Sequence, residues 1–465
     1  MFYKLLERYV LRGWEQLPYA VQDTQTGSTN FLDQSTFQAV SFCNGMMDVD
    51  SPLLLPIHKE IIGKLKDIGA IKQCSFGDKL QEEQKYRMIP CRFIKRAHWS
   101  ITGKCNLRCR HCYMSAPQAK YGELSHEQCL NIVQQLSDAG IAQVSLTGGE
   151  PLVRSDFLEI VDALLERRIF ISQIYTNGVL VNEKLLSELI KRGIKPEFSL
   201  SFDGVGCHDW LRGVDGAERD AIDAIKLLRS KGFDVSIETS LHKDNLPTLE
   251  ATFHRLAELG VQRWKTSPTT DSGNWQNENG KFNVNVQELY EAYLDFIPKY
   301  RAVGAPLSLM LGGFFMCDKG SENYLIPCKK YDGSEKMLRQ TLCRSARTTM
   351  YIAADGKLLP CIPLTGLPIQ ETMPIVTEIP LRQALSDSSY LKLIDTRLCD
   401  LLSVNETCNV CEHKLYCGGG CRAGALVSNG EYLACDDYTC YFFKNNFEEK
   451  IKALYGQNER GKRYV

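Results

Sequence analysis

Between residues 96 and 270, short apolar runs alternate with longer stretches of helical spacing. Residues 98–104 (HWSITGK) predict a strand, and residues 125–139 predict a helix with Leu130, Val133 and Leu136 at helical spacing. Further strands are predicted at 143–146, 170–175, 197–202, 234–241 and 263–267, and helices at 157–167, 182–191, 217–231 and 246–258. The last helix of the series is displaced to 286–300. Six strand–helix pairs in this order imply a parallel sheet with right-handed crossovers. They are too few for a closed eight-stranded barrel. The expected α/β core is a partial (β/α)6 barrel over 93–310, with its chemistry at the C-terminal ends of the strands.

The flanks read differently. Residues 13–19, 20–23 and 29–32 predict short strands, and 34–43 and 54–68 predict helices. Strands followed by helices within residues 1–92 suggest a small winged-helix-like module. Beyond Gly312 the chain turns irregular and rich in Gly, Cys and Pro, with a predicted strand at 307–311 just before it and a closing helix at 446–455. This divides the chain into a bridging region, 311–342, and a cysteine-rich C-terminal domain, 343–465.

Charge narrows the function classes. Against 55 Lys+Arg stand 56 Asp+Glu, a formal net charge of −1, which excludes a generally polyanion-binding protein. No apolar run approaches the roughly 18 residues needed to span a membrane, and the N-terminus lacks the order of a signal peptide. A cytoplasmic protein with no nucleic-acid or membrane partner is expected. The 19 cysteines are then the unusual feature. In a reducing compartment such density points to metal or redox chemistry rather than disulfides. Three cysteines fall within 105–112 and nine within 343–440.

Cys105, Cys109 and Cys112 are spaced C-x3-C-x2-C directly after the first barrel strand. Three thiolates on one short loop can hold three corners of a four-iron cluster and leave the fourth iron open. A zinc loop with His111 as its fourth ligand is the alternative. This spacing, after the first strand of a six-unit barrel, resembles the radical S-adenosylmethionine (SAM) superfamily. Further turns agree. Thr147-Gly148-Gly149-Glu150-Pro151 is similar to the family's GGE motif, although by itself it is also an acceptable turn. Thr176 lies in a Tyr-Thr-Asn-Gly turn after the third strand. Ser201 sits in Ser-Leu-Ser-Phe-Asp-Gly after the fourth, and Arg212 follows.

The resemblance implies that Cys105, Cys109 and Cys112 hold the SAM cluster and that Gly148, Gly149 and Glu150 take the methionine amino group. It implies that Ser201 contacts the ribose, that Arg212 reaches the carboxylate, and that His111 lies beside the adenine, with Thr176 also at the cofactor. It also implies reductive SAM cleavage to a 5′-deoxyadenosyl radical, fed by a reductant such as flavodoxin or ferredoxin.

The C-terminal cysteines run Cys343-x12-Gly356-x4-Cys361, then Cys408-x2-Cys411-x5-Cys417-x3-Cys421, then Cys440. This resembles the SPASM extension, which carries two auxiliary 4Fe-4S clusters and would bring the total to three; two zinc knuckles are the alternative. The resemblance groups Cys343, Cys361 and Cys421 in one cluster, and Cys408, Cys411, Cys417 and Cys440 in the other. Cys317, in an apolar run, is the favoured fourth ligand of the first, ahead of Cys328, unless that position is open. Cys435 rivals Cys440. Cys43, Cys74, Cys129, Cys207 and Cys399 are expected to be buried bystanders.

SPASM proteins modify peptides or proteins, and the N-terminal module resembles the leader-recognition element of peptide maturases. A precursor peptide with a leader is thus the expected partner. DNA binding would want a basic recognition helix, whereas residues 58–72 hold four lysines, two acids and no arginine. The expected reaction is an intramolecular crosslink, thioether ahead of carbon–carbon. Oxidation of Cys or Ser to formylglycine is the alternative enzyme, and a non-catalytic metal-binding protein the alternative class.

Overall fold

A computed structural model describes residues 1–116 and 119–456. In the first part of the chain, strands β1 (Phe2–Leu5), β2 (Tyr9–Trp14), β3 (Leu17–Asp23) and β4 (Ser28–Phe31) precede helix α1 (Gln34–Phe42), β5 (Asn44–Asp48), α2 (Pro56–Asp67), β6 (Ile71–Cys74) and β7 (Arg87–Ile89). They form two small sheets, ordered β5-β1-β6 and β4-β3-β2-β7. The strand expected at 13–19 is interrupted: the chain turns at Glu15-Gln16, and β2 and β3 pair antiparallel across that turn. The strands β1, β5 and β6 have no counterpart in the expected pattern, being short runs of mixed polarity.

The barrel follows: β8 (Arg96–Ser100), α3 (His126–Asp138), β9 (Gln143–Thr147), α4 (Phe157–Glu166), β10 (Phe170–Thr176), α5 (Glu183–Lys191), β11 (Glu197–Ser201), the short α6 (His208–Arg212), α7 (Ala217–Ser230), β12 (Val235–Leu241), α8 (Leu249–Glu258), β13 (Arg263–Pro268) and α9 (Val286–Ala302). Each of β8 to β13 pairs parallel with the next. β9 is buried throughout and β11 and β12 mostly, as strands covered on both faces require, whereas β10 and β13 are only partly buried. The first strand ends earlier than expected. The Glu123 carboxylate accepts hydrogen bonds from Thr102 Oγ1 and Gly103 N, both at 2.8 Å, and draws residues 102–104 out of the ladder.

The α3 helix starts at a capping box between Ser125 and Gln128. Its buried face is Cys129, Ile132, Val133 and Leu136; Leu130, expected on that face, is exposed.

The sheet runs past the six barrel strands on both sides. β14 (Ser308–Leu311) joins β13 in parallel, and β15 (Phe315–Cys317) and β16 (Tyr324–Leu325) return antiparallel. On the other side β17 (Thr349–Ile352), from the cysteine-rich region, lies parallel to β8, and β18 (Leu358–Leu359) pairs with β17. The C-terminal region therefore completes the barrel sheet at its first strand, which would otherwise be an open edge. The N-terminal part is also seated on the barrel. Trp14 is fully buried in the barrel core and donates from Nε1 to the carbonyl of Ala139 at 3.2 Å. A Cβ at Gly140 would lie 2.8 Å from the Trp14 ring, so this contact needs glycine there.

Candidate cofactor and cluster sites

The cysteine loop is gripped by the loops after the next strands. Gly149 N donates to Thr102 O and Glu150 N to Lys104 O, both at 2.9 Å, so the Gly-Gly-Glu turn lies along the start of the cysteine loop. The approach is too close for side chains. A Cβ at Gly148 would meet Thr102 O at 2.4 Å, and one at Gly149 would meet Lys104 O at 2.3 Å. From the other side, Asn274 N donates to Cys112 O at 3.0 Å and its Nδ2 to Cys109 O at 3.2 Å.

Glu150 is fully buried and its carboxylate is already oriented. It accepts from Leu152 N at 3.1 Å, Thr176 Oγ1 at 2.9 Å and Asn177 N at 2.8 Å. Burial pushes its pKa up to about 7 against these three hydrogen bonds. Thr176, expected at the cofactor, spends its hydroxyl on Glu150 and so acts as its brace. Asn177, to which the sequence reading gave no role, ties the turn to the cysteine loop: its Nδ2 donates to Asn106 Oδ1 at 2.8 Å and stands 3.9 Å from Cys105 Sγ.

Arg212 is held from behind by Asp203, which is fully buried. Arg212 Nε meets Asp203 Oδ2 at 2.7 Å, and Nη1 lies 3.8 Å from Cys109 Sγ. Burial alone would raise the Asp203 pKa, but Arg212 and then His208 overcome it and hold the carboxyl well below the usual range. Asp203 also accepts from Ser240 N at 2.9 Å, and its carbonyl accepts from Asn245 Nδ2 at 2.7 Å. It is the hub joining the ends of β11 and β12, another residue the sequence reading passed over. Its signal was an acid directly after a strand with an arginine nine residues on. Ser201 ends β11 half-buried, and the neighbouring Ser199 is buried with its hydroxyl unpartnered among the described residues.

These residues fit the cluster and cofactor that their pattern implies. The three cysteine thiols act on one another electrostatically and are partly or fully buried. Burial pushes Cys105 up to about 12, so it needs a metal's charge to ionise. Backbone N–H groups of Leu107 and Ala116 stand 3.4 Å from Cys105 Sγ and Cys112 Sγ. Such donors stabilise sulfur that carries charge. His111 Nδ1 is buried with no hydrogen-bond partner among the described residues, a polar atom that awaits one. Burial, helped by Arg212, lowers the His111 pKa to about 3 and keeps the ring neutral. Among the described residues no three His, Cys, Asp or Glu side chains converge closely enough for a single metal ion.

The C-terminal cysteines fall into two groups. Cys343, Cys361 and Cys421 act on one another electrostatically. Cys408, Cys411, Cys417, Cys435 and Cys440 line one cavity of about 680 Å³, with Cys408 and Cys435 sulfurs 3.7 Å apart. The structure does not bring Cys317 to the first group. Its sulfur faces Tyr455 Oη at 3.0 Å and Ser321 O at 3.3 Å, because β15 turns it toward the C-terminal helix Phe447–Tyr455. Cys328 instead lines a cavity of about 620 Å³ together with Cys421, between the end of β13 and residues 421–439. Of the expected bystanders, Cys43 and Cys129 are buried, Cys74 and Cys207 are half-buried, and Cys399 is exposed.

Known proteins resemble this chain in its barrel and beyond it. Residues 99–256 match the model of the Radical SAM superfamily. An AdoMet-dependent heme synthase of Methanosarcina barkeri is 27% identical over 356 residues, 74% of this chain and 95% of its own length. PqqA peptide cyclase of Granulibacter bethesdensis is 27% identical over 71% of this chain and 83% of its own length. Among solved structures, Streptococcus suis SuiB bound to precursor peptide SuiA superposes with a TM-score of 0.64, covering 94% of this chain and all of that one at 16% identity. No helix among the described residues is long and apolar enough to cross a membrane.

Proposed function

We propose that this chain, which belongs to the radical SAM superfamily, is a maturase of a ribosomally made precursor peptide and closes an intramolecular crosslink in it. Cys105, Cys109 and Cys112 would hold a 4Fe-4S cluster, and Gly148, Gly149, Glu150, Ser201, Arg212 and His111 would hold SAM. Bound there, the two supply a carbon radical that removes a hydrogen atom from the substrate. The chain's own part is positioning. Glu150 presents a carboxylate fixed by three donors, and Arg212 a guanidinium fixed by Asp203, so neither reorganises when ligand arrives. In the C-terminal region, Cys343, Cys361 and Cys421 with Cys328 would hold one auxiliary cluster, and four of the five thiols around the second cavity would hold another. A thioether is favoured over a carbon–carbon bond on the resemblance alone.

The observation that carries the peptide reading is the open edge of β4. In the order β4-β3-β2-β7 this strand has one neighbour, and Leu32 N donates inward to Tyr19 O. By alternation the N–H groups of Thr29 and Phe31 point outward, ready for an added strand of leader. The names of PqqA peptide cyclase and of SuiB with its precursor peptide support the same substrate class. Removing residues 1–92 would strip Trp14 and Ile89 from the barrel core, so a single edge substitution is the cleaner test. Thr29→Pro deletes an outward donor and leaves the β3 ladder intact. It should abolish most modification of micromolar precursor, read as a peptide mass shift, with 5′-deoxyadenosine measured in the same samples to report the cofactor site. Unchanged modification, or consumption of a tetrapyrrole in place of peptide, would overturn the reading.

A further inference from the structure

Where the N-terminal sheet meets the C-terminal region, a cleft of about 610 Å³ is lined by Arg92, Arg339, Arg344, Arg347 and Arg397, with Glu15 the one acid among its lining residues. For a chain of net charge −1 this is a marked local excess. One carboxylate, Asp395, is shared by Arg92 at 2.5 Å and Arg347 at 3.2 Å, so two guanidiniums divide a single countercharge. Arg344 lies over the Tyr331 ring, 5.3 Å from its centre, and Arg339 and Arg397 are exposed to solvent. None of these residues belongs to the cofactor or cluster sites.

The opposite wall is aromatic and stiff. Trp14, Phe31 and Phe93 pack edge to face with centroids 4.7 to 6.5 Å apart. Phe31 is the last residue of β4 and is 45% exposed. A polypeptide paired along the free edge of β4 therefore passes Phe31 at that end of the strand and enters the cleft.

We propose that this cleft binds an acidic segment of the precursor peptide, continuous with the segment that pairs with β4. The proposal rests on the peptide-maturase reading and adds the chemistry by which the peptide is chosen. Guanidinium forks match carboxylates two bonds at a time, which Lys cannot do. Nucleic-acid phosphate would also suit five arginines, but a neighbouring strand edge offers a main-chain ladder that only a polypeptide can complete. With acidic side chains in the cleft, the Arg92–Asp395–Arg347 cluster gains the countercharge it lacks.

The test uses the full-length protein and three fluorescein-labelled probes: octaglutamate, a neutral Gly-Ser octapeptide and a thymidine dodecanucleotide. Anisotropy titrations should show octaglutamate binding, weakened by salt, and no comparable binding of the neutral probe. The double variant Arg339→Glu/Arg397→Glu should weaken octaglutamate by about tenfold or more, since each lost arginine removes a charge-assisted contact. Arg339→Lys/Arg397→Lys should fall between. Iron content and thermal midpoint check the fold, and single Arg339→Gln replaces the double variant if that one fails to fold. Octaglutamate affinity that is absent, or indifferent to these substitutions, overturns the proposal. So does tighter, arginine-dependent binding of the oligonucleotide. Binding is read apart from turnover. If Thr29→Pro abolishes modification while the arginine variants leave both binding and modification intact, the cleft proposal alone fails; if neither matters, the peptide reading fails with it.

Discussion

The cysteine loop at 105–112 and the cysteine field beyond 343 are held in different ways. The residues shown gripping the loop come from the ends of parallel strands: Glu150 after β9, Asn177 after β10, Arg212 (braced by Asp203) after β11, and Asn274 after β13. Backbone hydrogen bonds hold the loop, from Arg110 N to Leu211 O and from Asn274 N to Cys112 O. In the field, the thiols sit on short helical turns and loops, and few backbone bonds join one cysteine segment to another. Glycines at 418–420, all at positive φ, take the place of regular structure there: a Cβ at Gly418 would collide with the Tyr331 ring and one at Gly420 with Asp436. Rigid scaffolding suits a site that must aim a radical, whereas a cluster that only carries electrons or ties down a domain can rely on its own metal for order.

The sharpest way to break this comparison is iron content. Replacing Cys105, Cys109 and Cys112 together by Ala should remove about four irons per chain and abolish SAM cleavage. Because hydrogen bonds hold the loop, the protein should stay folded, with its far-ultraviolet circular dichroism unchanged. Replacing Cys408, Cys411 and Cys417 should instead lower the unfolding midpoint of the C-terminal region as its irons are lost. Equal losses of stability in the two triple variants would erase the distinction.

The next effect in size lies behind the loop. Arg212→Ala leaves the buried Asp203 charge without its guanidinium partner, which costs on the order of 3–5 kcal/mol. The double variant Arg212→Ala/Asp203→Ala should recover part of that loss in urea unfolding while SAM binding stays weak. If stability in the double variant equals the sum of the singles, the two residues do not act as a pair.

How far this could be read from the sequence follows the same divide. Along the barrel the order of motifs is the order of strands, so alternation put the strand-end turns on one face, and the family resemblance singled out Gly148, Gly149, Glu150 and Arg212 among them. What stayed hidden was the bracing. Asp203, Asn177 and Glu123 are polar residues in turns, and nothing in a turn's composition says which loop it will clasp. Beyond 343 the hydrophobic period gives out, and β17, four residues among the cysteines, carries no mark that it will lie beside β8. The apolar run around Cys317 points to a buried ligand, but it is the β15 side of the Tyr455 contact, while Cys328, in a polar loop, lines a cavity with Cys421. The five arginines of the cleft come from three separated segments, at 92, 339–347 and 397, so composition averages them away.

Glu150 gives a pH test of the rigid side. Its folded pKa of about 7 lies above the ordinary carboxylate value because burial disfavours the charge. A raised acid is protonated in the folded protein below about pH 7, and a protonated carboxyl cannot neutralise the cofactor's ammonium. SAM affinity should therefore fall as pH drops below 7, by up to about tenfold per unit. Glu150→Gln should bind weakly and show no such slope. A slope that survives in Glu150→Gln would assign the titration to another group.

The smallest effects distinguish single thiols in the field. Cys317→Ala should keep full iron, since that sulfur is engaged by Tyr455 Oη and Ser321 O. Cys328→Ala should make the first auxiliary cluster labile, seen as faster iron release to a chelator rather than its complete absence, because three thiolates remain. Five thiols line the second cavity, one more than the proposed cluster would use. Cys435 stands 3.7 Å from Cys408, and Cys440 interacts electrostatically with Cys408, Cys435 and Cys417. With a spare thiol at hand, Cys435→Ala and Cys440→Ala should each retain close to the wild-type iron, and only the double variant should lose the cluster. Complete loss in either single variant would mean that the field fixes its ligands as strictly as the barrel loop does, and the contrast drawn between the two would disappear.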